Sequence, residues 1–370
     1  MNETKPHICM IVPDPRVHGG IASVTKGYYG SALERDFRIT YVESYCDGSK
    51  RKKLKKALKA YRRFYQILKE DPPLLVHIHS SFGPSFYRKI PFILMSNRRS
   101  IPVINHIHGS DLEELYYNAS SYKKKLVRAI YGRCDLLIVL AEIWKKEFSR
   151  IVPHQKIEVL PNYAKAHEEV LASSFLHERY TRHGLLFLGV ITMGKGVDIL
   201  PKIMKKVLER VPDAVLTIAG SGDTSIVYEG ADPKVMDHIH FTGWVSGEEK
   251  EQLFRENAVF LFPSHMECFS MSILEAQGYG LPVISCRVGS IPEAVEEGKT
   301  GYIFSVDDVD SMADAIIRLF EDEELYDRMA ENGIANVQSK YTLEQHLSHL
   351  EDIYHMVLQE KKEQRPLNHE

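Results

Sequence analysis

Residues Pro263 to Glu293 read P-S-H-M-E-C-F-S-M-S-I-L-E-A-Q-G-Y-G-L-P-V-I-S-C-R-V-G-S-I-P-E. An apolar run, Val259 to Phe262, leads into this stretch and ends in a loop that carries Glu267. A helical segment holding Glu275 follows. Gly278 and Gly280 close it, and Leu281 to Ser285 reads as a buried strand. Two carboxylates therefore flank a strand-to-helix crossing. At such a helix start successive backbone N–H groups point outward and hold an anion without a charged side chain. Acidic residues near a helix start also have an ordinary reading, because they complement the helix dipole.

The chain has 370 residues, too many for one ordinary core and suited to two domains. Its apolar fraction of 44% and charged fraction of 26% are those of a soluble globular protein. Five cysteines, none in a C-x-x-C pair, suit a reducing compartment and argue against a disulfide framework or a zinc site. No apolar leader and no long apolar span is present, so neither a signal peptide nor a transmembrane helix is expected. The net charge is −3, unevenly shared: residues 1–165 hold 29 Lys and Arg against 15 Asp and Glu, whereas residues 166–370 hold 18 against 35. A basic half joined to an acidic half suggests that the first meets an anionic surface.

Glu267, seven residues, Glu275-Ala276 and then Gly280-Leu281-Pro282-Val283-Ile284 resemble the signature of the family 4 retaining glycosyltransferases (glycosyl transferases group 1), of the bacterial surface-polysaccharide type. The resemblance implies the GT-B fold: two doubly wound parallel-sheet α/β domains of Rossmann type facing a cleft. It also implies roles. Glu267 contacts the donor sugar, the backbone N–H groups of Phe269, Ser270 and Met271 lie beside it, and Glu275 takes the ribose hydroxyls. The family usually has Gly where Cys268 and Ser270 stand. Gly289, Ser290, Ile291, Pro292 and Glu293 resemble a further family turn beside the donor.

Earlier in the chain, Ile8 to Val12 reads as a first strand, and Gly19-Gly20 precede a helical pattern beginning near Ile21. Alone the pair is a tight turn; in the resembled family a Gly-Gly here faces the donor diphosphate. Ile39 to Val42 reads as a second strand. Residues 50–69 then hold ten basic residues and no acid, with Leu54, Ala57, Leu58, Tyr61, Phe64, Tyr65 and Leu68 at helical spacing on one face. This is the pattern of a helix lying on an anionic membrane, with Lys52, Lys53, Lys55, Lys56, Lys59, Arg62 and Arg63 as the contact residues. The plainer reading is a helix that packs its apolar stripe on a sheet and leaves its lysines in water. No nucleic-acid-binding motif accompanies the run, so nucleic acid is not expected as a partner.

Strands at Leu74 to Ile78 and Pro102 to Ile107 end in V-H-I-H-S-S and N-H-I-H-G-S-D. Residues two apart in a strand share a face, so either H-x-H pair suits a metal ion, and a metal-dependent hydrolase is a rival reading. The resemblance gives His108, in its His-Gly step, a contact with the donor sugar near the reaction centre. His77, His79 and His106 are then lining or packing residues. Cys134 to Leu140 and Lys156 to Leu160 read as further strands, and residues 163–183, polar and without clear period, as the linker.

Leu185 to Gly189 opens the second half, whose turn G-V-I-T-M-G-K-G resembles the family's G-R-x-x-x-x-K-G, in which Arg and Lys clamp the diphosphate. Lys195-Gly196 match; Val190 stands where the Arg is expected, with Arg16 and Arg287 as candidate substitutes. Strands at Ala214 to Ala219 and Ile239 to Thr242 follow, and by resemblance Gly243 and Val245 border the nucleotide base. A helix near Leu343 to Gln359 resembles the one that returns to the first domain. The expected organisation is 1–165, 166–342, and 343–370 as returning helix and tail.

The resemblance implies a retaining, hexosyltransferase-like enzyme. It would move sugar from a UDP- or GDP-sugar to a glycan acceptor, expected to be lipid-linked, in polysaccharide biosynthesis. It would need no metal or other cofactor and would work in the cytoplasm, peripherally on the inner membrane face. Beside the metal-dependent hydrolase stand two more rivals, a sugar-nucleotide epimerase and a non-catalytic membrane-associated module.

Overall fold

The structure, a computed structural model, describes residues 5–363; the tail at 364–370 lies outside the described residues. The chain divides into two compact units, Met1–Asn162 with Leu343–Glu370, and Tyr163–Thr342.

The first unit is built on six parallel strands: β1 (His7–Val12), β2 (Arg38–Glu43), β3 (Leu75–Ser80), β4 (Val103–Ile107), β5 (Leu136–Val139) and β6 (Ile157–Val159), in the order β2-β1-β3-β4-β5-β6. β1, β3, β4 and β5 are buried along their whole length, as strands covered on both faces must be. The register sets His79 opposite His106. Because side chains alternate along a strand, His77 and His79 therefore share one face of the sheet with His106. The helix Leu343–Glu363 covers that face, burying Leu347, Leu350, Tyr354 and Val357 at helical spacing. Its Tyr354 hydroxyl lies 2.6 Å from His77 Nδ1, and its ring packs edge-on against Phe37.

The basic helix spans Lys50–Glu70, and the Ser49 hydroxyl caps it by accepting from the Lys52 N–H. It buries Ala57, Ala60, Phe64, Ile67 and Leu68. The single apolar face read from sequence is thus divided. Leu54, Leu58 and Tyr65 stand on its flank, each more than half exposed at 61%, 57% and 55%. The two alanines let the helix approach closely, and that decides which side packs. A second correction concerns Lys56: its ammonium is 3.1 Å from Asp14 and 2.5 Å from Glu43, so its charge is neutralised within the unit rather than offered to a membrane.

The second unit is a second parallel sheet: β7 (Gly184–Leu188), β8 (Val215–Ala219), β9 (Ile239–Gly243), β10 (Val259–Phe262), β11 (Val283–Cys286) and β12 (Gly301–Phe304), in the order β12-β11-β10-β7-β8-β9. β12 is an edge strand of four residues that starts with glycine, and its sequence carries no strand signal of its own. Residues 163–183 are not a bare linker: Glu168–Leu171 forms a 3₁₀ turn and Ser173–Tyr180 a helix. That helix sends Arg179 into the core, where the guanidinium bonds Tyr326 Oη at 2.6 Å and the carbonyls of Tyr279 and Gly280 at 2.6 and 2.8 Å.

Candidate active site

In the second sheet the chain runs outward from β7 through β8 to β9, then returns to lay β10 on the other side of β7. The strand order reverses between β7 and β10. The crevice at the carboxyl ends of two such strands is where open α/β sheets bind ligands. The loop after β7 carries Lys195, and the loop after β10 carries Glu267. The two loops are stitched together: the His265 N–H donates to the Gly194 carbonyl at 3.0 Å and the Ser264 hydroxyl to the same carbonyl at 3.3 Å. Gly196 has φ +66°, and a Cβ there would lie 2.0 Å from the Pro263 carbonyl oxygen, so the residue after Lys195 has to be glycine. Lys195 donates to the Glu267 carboxylate, with both side chains largely buried. The ammonium also lies 5.2 Å from the centre of the Phe262 ring.

Beyond Glu267 the helix Met271–Gly278 begins. Ser270, where the resembled family has Gly, is its N-cap: the hydroxyl accepts from the Ile273 N–H at 3.4 Å and lies 3.0 Å from the Ser272 hydroxyl. A serine here keeps the side chain turned into its own helix start. Phe269 is buried. Glu275, one turn further along, receives a 2.7 Å hydrogen bond from Lys250 of the helix Glu248–Glu256. The C-terminal end of the Glu275 helix is locked. A Cβ on Gly278 would lie 2.2 Å from the Lys165 carbonyl oxygen, and Arg179 holds the two carbonyls that follow. Lys250 and Arg179 escaped the sequence reading. Lys250 stood out only as one cation among Glu248, Glu249 and Glu251, and Arg179 fell in a segment without periodicity.

Val190 is half exposed, and neither candidate substitute for the missing arginine is a free cation. Arg287 pairs with Glu297 at 2.9 Å within the second unit, and Arg16 pairs with Asp14 at 2.8 Å within the first. The Arg16 guanidinium holds the Asp14 carboxyl well below the usual carboxylate range. Gly243, at the end of β9, has φ +75°, and Val245 is buried just beyond it.

In the first unit, Gly19 and Gly20 lie at the start of the helix Gly20–Lys26, and a Cβ on either would meet nothing within 4 Å. His108, beyond β4, is partly buried. Its Nε2 lies 3.0 Å from His79 Nδ1 and its ring stacks on His106 at 4.2 Å. Burial pushes the His108 and His77 imidazoles down to about 3, and carries His79 and His106 well below their ordinary value. All four are neutral at physiological pH.

His77, His79 and His106 bring one ring nitrogen each within 4.8 Å of one another. Their arrangement does not favour the metal-hydrolase reading. The rings of His77 and His106 are within 8° of parallel, 5.5 Å between centres. All three are at most 1% exposed, which leaves no room for a substrate at such an ion.

The family profile described as "Glycosyl transferases group 1" matches residues 176–336, and that described as "Glycosyltransferase Family 4" matches residues 23–164. Alpha-D-kanosaminyltransferase of Streptomyces kanamyceticus is 30% identical over 299 residues, 75% of this chain and 76% of that protein. This chain belongs to the family 4, group 1 glycosyltransferases. The transferase is also 23% identical, over 87% of its length and 84% of the other's, to the UDP-Gal:alpha-D-GlcNAc-diphosphoundecaprenol alpha-1,3-galactosyltransferase of Escherichia coli. Its fold is GT-B. Sucrose-phosphate synthase from Thermosynechococcus elongatus superposes on it with a TM-score of 0.79, covering 96% of the transferase and all of that chain at 16% identity. Among the described residues, no helix of the transferase is long and apolar enough to cross a membrane.

Proposed function

We propose that the transferase moves a hexose-type sugar, with retention of configuration, from a UDP- or GDP-sugar to a hydroxyl of a lipid-linked glycan acceptor in polysaccharide biosynthesis. The observation that carries this reading is the placing of Lys195 and Glu267 at the switch point of the second sheet, with Glu275 on the helix that leaves it. Lys195 binds the donor diphosphate, together with the helix start at Met271. Glu275 accepts from the ribose hydroxyls, Gly243 and Val245 border the base, and Glu267 with the N–H groups of Phe269, Ser270 and Met271 takes the sugar.

The reaction is a front-face displacement. The bond from the anomeric carbon to the diphosphate oxygen breaks as the acceptor oxygen bonds to the same face, and the acceptor proton passes to the departing diphosphate. No protein base is required. His108 is neutral, so any part it takes is by hydrogen bonding and not as a charge. Lys195 is the cation that the switch-point loops supply, so leaving-group stabilisation falls to it and to backbone N–H groups, and no metal takes part. The enzyme works on the cytoplasmic face of the membrane, where Lys52, Lys53, Lys55, Lys59, Arg62 and Arg63 meet anionic lipid and Leu54, Leu58 and Tyr65 enter the interface.

The deciding experiment is ligand-induced thermal shift against UDP-, GDP-, ADP- and dTDP-sugars, with and without chelator, on wild type and Lys195→Ala. A shift selective for one nucleotide, indifferent to chelator and absent in the variant is the expected result. No shift with any nucleotide would sink the reading.

A further inference from the structure

Two cations and a buried lysine gather at Ser44 and Tyr45, just beyond the carboxyl end of β2. Lys53 Nζ lies 5.3 Å from the centre of the Tyr45 ring, and the Arg88 guanidinium carbon lies 4.7 Å from it. Lys89 Nζ donates to the Ser44 hydroxyl at 2.6 Å. Among the described residues none of the three has a carboxylate partner. The acids close by are already used: Asp14 is held by Arg16 and Lys56, and Glu43 by Lys56. Lys89 is only 3% exposed, and Arg88 Nε is buried with no acceptor. The helix that supplies Lys53 opens with Lys50, Arg51 and Lys52 and has no acid in its first turn, against the preference set by its own dipole.

Burying cations without a counter-charge is costly: burial pushes the Lys89 amine well below its ordinary value and lowers that of the Arg88 guanidinium, and an anion brought to them offsets that cost. We propose that Lys53, Arg88 and Lys89 form a binding site for the phosphate or diphosphate group of a membrane lipid. The chemistry matches. Arg88 is part-exposed and keeps one buried donor, Nε, without an acceptor, Lys53 is part-exposed beside it, and Lys89 holds on Ser44 a buried amine that an arriving anion would charge. A lipid is favoured over a free anion because Leu54 and Leu58, both exposed, follow Lys53 on the same helix and offer apolar surface next to a bound headgroup. The inference rests on reading the acceptor as lipid-linked, and it fails or stands apart from donor binding.

The test uses the full chain carrying Lys195→Ala, so that pyrophosphate does not report the donor site. Inorganic pyrophosphate, titrated calorimetrically, is expected to bind one site, and adding Arg88→Gln is expected to weaken it about tenfold or more. Lys146→Ala, an equal loss of charge on an exposed helix of the same unit, is expected to leave it unchanged. Lys89→Met is expected to weaken binding and raise the melting temperature, since it removes a buried amine; a merely structural lysine would lower it. In the second arm, phosphatidylcholine vesicles doped with a polyprenyl diphosphate are compared with vesicles of equal charge made with phosphatidylserine. Preference for the diphosphate lipid, lost in Arg88→Gln, supports the proposal. Pyrophosphate binding without that preference points to a free anion and overturns it. So does pyrophosphate binding that never saturates or ignores Arg88→Gln. Donor-induced thermal shift on wild type, run alongside, reports the nucleotide reading separately.

Discussion

Lys195 and Glu267, contributed by loops 72 residues apart in sequence, are bonded to each other at the carboxyl ends of β7 and β10. On the proposed reading, a diphosphate arriving there would draw the ammonium away from the carboxylate and leave Glu267 to face the sugar. Lys195→Ala is therefore expected to lower kcat about 100-fold, the usual cost of losing one donor to a developing anion. It should weaken a nucleoside diphosphate far more than the matching nucleoside. Equal losses for both, measured calorimetrically, would place Lys195 away from the phosphates.

Glu275 is the acceptor of a bond from Lys250, and on the proposed reading a ribose would have to share or replace that bond. Wild type should discriminate against a 2′,3′-dideoxy nucleoside diphosphate by about tenfold or more, because a site built for hydroxyls is left with unpaired groups when they are missing. Glu275→Ala should erase the discrimination while binding the dideoxy compound as wild type does. Discrimination that persists in the variant would remove Glu275 from the ribose.

The histidines on and beneath the helix Leu343–Glu363 make the first unit sensitive to acid. Burial lowers His77 and His108 to about 3 and His346 to about 4, from 6.5 when exposed. A basic group whose pKa falls on folding takes up protons preferentially in the unfolded chain, so stability rises with pH. The contribution is complete above pH 6.5 and lessens progressively as pH falls from 6.5 toward 4. Urea midpoints at pH values of about 7.5, 6 and 5 should fall in that order. His346→Gln, which keeps a partner for the Tyr28 hydroxyl, should flatten the slope. A slope unchanged in that variant would mean other groups set it.

Membrane contact should depend on the flank of the basic helix, not on its packed face. Neutralising Lys55, Lys59 and Arg62 together should reduce binding to anionic vesicles by roughly fivefold per charge, as about 1 kcal/mol per basic residue implies. Lys56→Ala should have little effect on vesicle binding, because Asp14 and Glu43 already hold that charge. If Lys56→Ala costs as much as Lys55→Ala in a sedimentation assay, the assignment of faces is wrong.

Arg179 fills three acceptors in the core of the second unit, two of them at the end of the helix that carries Glu275. Arg179→Ala should destabilise the unit by about 3 kcal/mol or more, through two orphaned carbonyls and a cavity. A melting temperature within a degree of wild type would contradict this.

Both sheets were legible because their central strands are buried apolar runs separated by helical periodicity. The switch-point loops were legible because glycine and glutamate stand there at a fixed spacing. What stayed hidden was set by partners distant in sequence. β12 is too short and too near glycine to show a pattern. The basic helix has apolar residues around much of its circumference, and only the sheet beneath selects the alanine side. Lys56 looked like its neighbours until Asp14, 42 residues earlier, came within reach. Lys250 and Arg179 have meaning only beside Glu275 and Gly280, which periodicity cannot foresee.

The first unit has an unfinished core until Tyr354 packs against His77 and Phe37. On the ribosome, the whole of Tyr163–Thr342 is made before that last helix. Domains commonly mature from the N-terminus onward; here the middle of the polypeptide can reach its final state while the beginning still waits. A nascent chain halted before Leu343 would carry a complete second sheet and a first sheet whose histidines lie open to water.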